Sequence, residues 1–172
     1  MGSLKERIAS LESHVFIQDD IRICPIQNDY DLWYAVVECK LKPEQIDLVN
    51  PAGFSIGRAY LHPESNVPCI IWKGNSRIGY IVLRKWNGAE ATSWSFYLSQ
   101  EFQGFGYGRT AAKIAVKILL TLAPTTPIKL STERMNQKAQ RLYTGLGFRH
   151  EGEVDGDDLV FVYRKEFSND IP

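Results

Sequence analysis

The chain changes its hydrophobic period often, and those changes outline a mixed fold of short helices and strands. Leu4, Ile8, Leu11 and Val15 recur at intervals of four, three and four, the stripe of a short amphipathic helix. A two-chain coiled coil needs three or four heptads, so a helix docked on its own domain is expected. Ile21 to Ile26 alternates apolar with polar as a first strand. Asp29-Tyr30-Asp31-Leu32-Trp33 then opens a helix that runs to about Lys40 and is broken by Pro43. A second helix is predicted from about Gly53 to Leu61, ending before His62-Pro63.

The middle of the chain reads as sheet. Pro68 to Lys73 and Ile78 to Lys85 are strands joined by Gly74-Asn75-Ser76, a loop with hairpin chemistry. Thr92 to Ser99 is the next strand. Arg109 to Leu122 is a helix with Ile114, Ile118 and Leu122 on one stripe, stopped by Pro124 and Pro127. Ile128 to Thr132 alternates as a short strand. Asn136 to Phe148 follows as a helix, with Asn136 as N-cap and Gly147 as a left-handed stop. Phe148 to Val154 and Leu159 to Lys165 form the last two strands, around a turn at Asp155-Gly156-Asp157-Asp158.

A length of 172 residues suits one domain. Twenty basic and twenty acidic residues cancel without a long Lys/Arg block, so no nucleic-acid partner is expected. The longest apolar stretch, around Ile114 to Ala123, is interrupted by Lys117 and too short to span a bilayer. The N-terminus is charged where a secretory signal would be apolar. Cys24, Cys39 and Cys69 are widely spaced and lack a His pattern, which points to reduced thiols, no metal and a cytoplasmic protein.

Candidate chemistry centres on Gln103-Gly104-Phe105-Gly106-Tyr107-Gly108-Arg109, between a strand and a helix. Alternate glycines let a ligand approach the main chain closely, and the helix start adds unpaired N–H groups and the positive end of its dipole. This is an anion cradle, but neither common phosphate motif fits. A Walker loop needs four residues between its glycines and a Lys-Ser/Thr end, and a dinucleotide loop needs a glycine where Arg109 stands. About thirty residues on, Asn136, Ala139 and Tyr143 fall on one helix face, with the amide and the phenol about 10 Å apart.

Gln-Gly-x-Gly-x-Gly at 103–108 resembles the acyl-CoA pyrophosphate loop of the GNAT N-acetyltransferase superfamily. Asn136-x-x-Ala139-x-x-x-Tyr143-x-x-x-Gly147-Phe148 resembles its second signature. The resemblance runs from about Ile21 to Arg164. It implies a GNAT fold of the α+β class, a mostly antiparallel mixed sheet of six to seven strands with helices on both faces. The acetyltransferase domain would cover residues 21–167, with a helical extension at 1–20 and a tail at 168–172. It further implies acetyl-CoA as cosubstrate, with its diphosphate on the amides of Gln103 to Arg109. Its pantetheine arm would lie on the main chain of Phe96, Tyr97 and Leu98 and against Asn136. Tyr143 would be the general acid that returns a proton to the leaving sulfur.

The base is less sharply marked. Glu133 follows a central strand, while Glu38 and Glu44 lie with Trp33 in the segment that usually walls the acceptor site. Asp31-Leu32-Trp33, Pro43-Glu44-Gln45, Gly53 to Tyr60 and Glu153 to Asp158 are similar to bacterial spermine/spermidine and diamine acetyltransferases. A polyamine acceptor follows from that similarity, and clustered carboxylates would suit a polycation. Lys40 and Lys42 add opposing charge there. An aminoglycoside, an amino acid or a protein N-terminus remains an alternative acceptor, and a non-catalytic acyl-CoA sensor is an alternative of another class. Many relatives pair their C-terminal strands, which opens the option of a homodimer.

Overall fold

Strands with inward residues at every second position build the centre of the molecule, and the period of two sorts those residues onto two faces. The computed structural model describes residues 4–10, 17–85 and 90–165. Among the described residues, eight strands form one sheet in the order β1-β2-β3-β4-β5-β6-β8-β7. They are β1 (Ile17–Gln18), β2 (Ile21–Pro25), β3 (Asn66–Lys73), β4 (Ser76–Lys85), β5 (Thr92–Leu98), β6 (Ile128–Thr132), β7 (Arg149–Asp155) and β8 (Asp158–Tyr163). All neighbours are antiparallel except β5 and β6, which run parallel.

Five α-helices among the described residues pack around this sheet: α1 (Leu4–Ala9), α2 (Asp29–Trp33), α3 (Ala52–Leu61), α4 (Tyr107–Leu122) and α5 (Gln137–Thr144). On one face Ile23, Ile71, Ile81, Leu83, Trp94 and Leu98 meet Ile114 and Ile118 of α4 and Leu142 and Tyr143 of α5. Ile8 of α1 is buried in that same core. Ile70, Tyr80 and Val82 point the other way, against Tyr34, Ala35 and Ala52. The alternation 70/71, 80/81 and 82/83 is therefore the fold written in sequence: β3 and β4 each feed two cores.

The class expected from sequence holds, with one correction to the strand count. Eight strands form rather than six to seven, because Ile17–Gln18 pairs antiparallel with β2 at the sheet edge. Two residues are too few for periodicity to reveal. The helix opened by Asp29 is capped by the Asn28 side chain, and after Trp33 it widens into a π-helical turn, Tyr34–Glu38. Pro43 starts a 3-10 helix, Pro43–Leu48, as well as excluding an α-helix. The expected helix positions Leu11 and Val15, and the tail at 168–172, lie outside the described residues. No helix among the described residues is long and apolar enough to cross a membrane.

Candidate active site

β5 and β6 share one paired position, Thr92↔Ile128, beside a hydrogen bond from the Thr92 N–H to Pro127 O at 2.9 Å. Beyond it the two parallel strands have no common register, although β5 stays paired with β4 up to Gly79↔Leu98. The Ser99 N–H bonds Ile78 O at 3.0 Å, on the β4 side. Strand alternation then turns the main-chain groups of Trp94, Phe96 and Leu98 toward the opening between β5 and β6. Of the three residues expected to present main chain, Phe96 and Leu98 face the opening. Tyr97 is paired with Tyr80 of β4, and its ring lies on the opposite sheet face from Phe96.

The glycine loop lies at the end of that opening. Gly104 and Gly106 have φ of 91° and 82°, a region that favours glycine, and a side chain at either would meet nothing within 4 Å. Among the described residues, the amides of Gly104, Phe105, Gly106, Tyr107 and Gly108 donate to no group of the chain. The flanking amides are used: Gln103 N–H reaches Gln100 O at 3.4 Å and Arg109 N–H reaches Gly106 O at 3.0 Å. Five consecutive donors at the head of a 16-residue helix fit an anion with several oxygens.

Gln103 and Arg109 do something other than face a ligand. The Gln103 side-chain amide donates to Gln45 Oε1 at 2.8 Å and to Leu98 O at 2.9 Å, tying the loop to the 3-10 helix and to the end of β5. Arg109 Nη2 donates to Gly145 O at 2.9 Å, at the C-terminal end of α5, where a cation is favoured. The Arg109 guanidinium is thus engaged in holding α4 to α5.

Asn136 and Tyr143 come from α5. Asn136 Oδ1 accepts the Ala139 N–H at 3.1 Å, so the residue caps its helix while its side-chain NH₂ makes no hydrogen bond among the described residues. The Tyr143 ring packs at 5.7 Å from Phe161 and 6.0 Å from Phe148. Burial pushes its phenol up to about 12, so it stays protonated across the neutral range. Glu133, in the turn between β6 and α5, is exposed, and so are Glu38, Glu44 and Trp33 on the α2 side. Among the described residues no cluster of His, Cys, Asp or Glu is placed to hold a metal ion.

Sequence reasoning missed a small cleft of about 50 Å³ on the α3 face. Ser55 and Arg58 of α3, Asn66 of β3, Tyr80 and Arg84 of β4, and Ser95 and Tyr97 of β5 line it. Ser55 Oγ and the Tyr80 hydroxyl are 2.7 Å apart, and the rings of Tyr80 and Tyr97 are 5.8 Å apart. Burial, and to a lesser extent Cys39, pushes the Tyr97 phenol up to about 12, with the Ala52 amide opposing. Ser55 and Arg58 lie in the 53–60 segment and Tyr97 in the β5 segment singled out above, but their convergence with Asn66, Arg84 and Ser95 is set by strand register and the docking of α3, which no spacing along the chain marks.

Residues 30–148 match the model of the acetyltransferase (GNAT) family. The chain belongs to that family, and as a member it is an N-acetyltransferase that takes its acetyl group from acetyl-CoA. No curated protein matches the sequence. Among solved structures the chain is similar to the aminoglycoside acetyltransferase AAC(6')-Ib in complex with paromomycin and acetyl-CoA. The identity is 18%, with 88% of this chain and 97% of that chain covered at a TM-score of 0.72. It is similar as well to a ribosomal-protein-alanine acetyltransferase from Vibrio fischeri, at 16% identity, 88% and 96% coverage and a TM-score of 0.67. A spermidine N-acetyltransferase chimera from Vibrio cholerae and hSSAT matches at 18% identity, 87% and 99% coverage and a TM-score of 0.64. At these identities the shared property is the fold.

Proposed function

We propose that the protein acetylates a primary amine of a small molecule by direct attack in a ternary complex, with the cosubstrate threaded between β5 and β6. The observation that carries this reading is the divergence of the two strands from Thr92↔Ile128 beside five unbonded loop amides. When bound, acetyl-CoA supplies a thioester whose carbonyl carbon accepts the amine. The amides of Gly104 to Gly108 hold its diphosphate, the main chain of Phe96 and Leu98 lies along its pantetheine arm, and the free NH₂ of Asn136 reaches that arm from α5. A β5 amide facing the opening polarises the thioester carbonyl.

In the transfer an N–C bond forms as the C–S bond breaks, the acceptor nitrogen gives up a proton, and the departing sulfur takes one. Tyr143 donates toward that sulfur. Glu133, bordering the opening from the β6–α5 turn, takes the proton from the amine.

A polyamine is the acceptor suggested by the sequence similarity, and the spermidine enzyme among the solved structures supports it. It requires carboxylates gathered around the acceptor. Asp31, however, is buried and held by Arg77 Nε at 2.9 Å, and Glu153 is paired with Lys129 at 2.7 Å.

The test is direct. Acetyl-CoA raises the melting temperature by mass action, and Tyr143→Phe lowers turnover by roughly 10²-fold while leaving that stabilisation unchanged. Equal turnover in the two proteins removes Tyr143 from the mechanism. No acetyl-CoA-dependent shift overturns the binding mode.

A further inference from the structure

The cleft on the α3 face is lined by two arginines and by no aspartate or glutamate. Arg58 is exposed, and its side chain makes no hydrogen bond or ion pair among the described residues. Arg84 is partly buried. Burial lowers its pKa and the Arg58 charge lowers it further, while Asp155 opposes. Two guanidinium groups therefore act on the same space, and the remaining polar lining is neutral: Asn50, Ser55, Asn66, Ser95 and the two tyrosines.

The cleft also reaches the strand proposed to hold the thioester. The register places Ser93 beside Arg84, Ser95 beside Val82 and Tyr97 beside Tyr80. From the level of Arg84 to that of Tyr80 is four residues, about 13 Å along the strand. Cations thus border one end of the cleft and Tyr97 borders the other, one residue from the Phe96 main chain that faces the opening. A ligand bound along this line has a positive wall at one end and the reacting strand at the other. Spermidine would bring several positive charges to two arginines with no carboxylate in the lining to receive them.

We infer that this cleft receives the acceptor, and that the acceptor is an amine carrying an oxyanion, a carboxylate or a phosphate, held by Arg58 and Arg84 while its nitrogen reaches β5. This rests on the acetyl-transfer reading above and narrows its acceptor. The planar guanidinium fork matches both oxyanions in a bidentate way, which a lysine would not.

The experiment follows release of the CoA thiol with matched acceptors: amino acids and dipeptides beside their C-terminal amides, aminoethyl phosphate beside ethanolamine, and spermidine alone. The anionic member of at least one pair is expected to exceed its uncharged counterpart by tenfold or more in kcat/KM, and the pair that does so separates carboxylate from phosphate. Arg58→Gln, at an exposed position, should raise KM for that anion about ten- to a hundred-fold, as loss of a charge-assisted hydrogen bond does. The preference over the uncharged partner should fall with it, and Arg58→Lys should restore part of it. A thermal melt verifies that each variant is folded.

Equal rates within every pair, or turnover of spermidine with refusal of every anion, overturn this inference. If acetyl-CoA still raises the melting temperature in that case, the acetyl-transfer reading stands. If acetyl-CoA does not bind, both fall.

Discussion

Gly79 of β4 faces Leu98 of β5 across the sheet, at the end of the pairing nearest the glycine loop. A Cβ built there would stand 2.6 Å from Tyr97 O and 2.7 Å from Leu98 Cδ2. The side chain could rotate away, but the carbonyl is main chain. Relieving a carbon–oxygen contact to an ordinary separation near 3.3 Å requires β5 to move by about 0.7 Å. Overpacking of this kind costs about 1–3 kcal/mol, which for a chain of this length lowers the melting temperature by roughly 2–12 °C. The catalytic effect should be larger in proportion. A misplacement near 1 Å costs about 10²-fold in rate, so Gly79→Ala should lose between one and two orders of magnitude in kcat/KM. Gly57→Ala is the control, because a Cβ on that α3 residue meets nothing within 4 Å. Steady-state thiol release and thermal melts on the three proteins decide the matter. If Gly79→Ala melts within a degree of the parent and turns over within twofold of it, the claim that β5 must hold its place to position the thioester is wrong.

Two further outcomes concern stability. Asp31 is 4% exposed, accepts the Gln27 N–H at 3.2 Å and holds Arg77 at 2.9 Å. Asp31→Asn leaves that partly buried guanidinium without its counter-ion and should cost about 3–5 kcal/mol in urea unfolding; a loss below about 1 kcal/mol would show that the pair contributes little. Tyr97 and Tyr143 both stand at about 12 against 10 for an ordinary phenol, mainly through burial. The unfolded chain therefore loses these protons first. The stability these two phenols contribute is full below pH 10 and declines as pH rises through 10 to 12, by roughly 2–3 kcal/mol for each at the upper limit. Tyr97→Phe should remove that phenol's share of the decline, the rest being carried by Tyr143 together with Tyr34, Tyr80 and the three buried or half-buried cysteines, which burial also raises, and an unchanged slope would refute the assignment.

Much of the architecture was legible because its causes are local. Ile128–Thr132 is a strand with the bounds read from its alternation, and α3 and α4 begin within two residues of where they were expected. The loop at 103–108 and the Asn136 cap were visible for the same reason, since glycine and asparagine act on the backbone beside them. The π-helical turn at Tyr34–Glu38 and the two-residue β1 were not legible. The first arises from how Tyr34 and Ala35 pack on Ile70 and Tyr80, and the second from pairing with β2.

By itself the sequence determined which chemistry the backbone could offer: successive donors after β5, a capped helix bearing a phenol, and alternating strands to carry them. Those properties depend on neighbouring residues and survive in any context that lets the local structure form. Only the tertiary structure decided that β5 and β6 part after one pair, that Gln103 and Arg109 turn to the protein, and that Arg58 and Arg84 share a cleft with Ser95 and Tyr97. Helix docking brings Arg58 to Arg84, 26 positions on, and strand register sets Ser95 and Tyr97 beside them, and no spacing along the chain records that convergence.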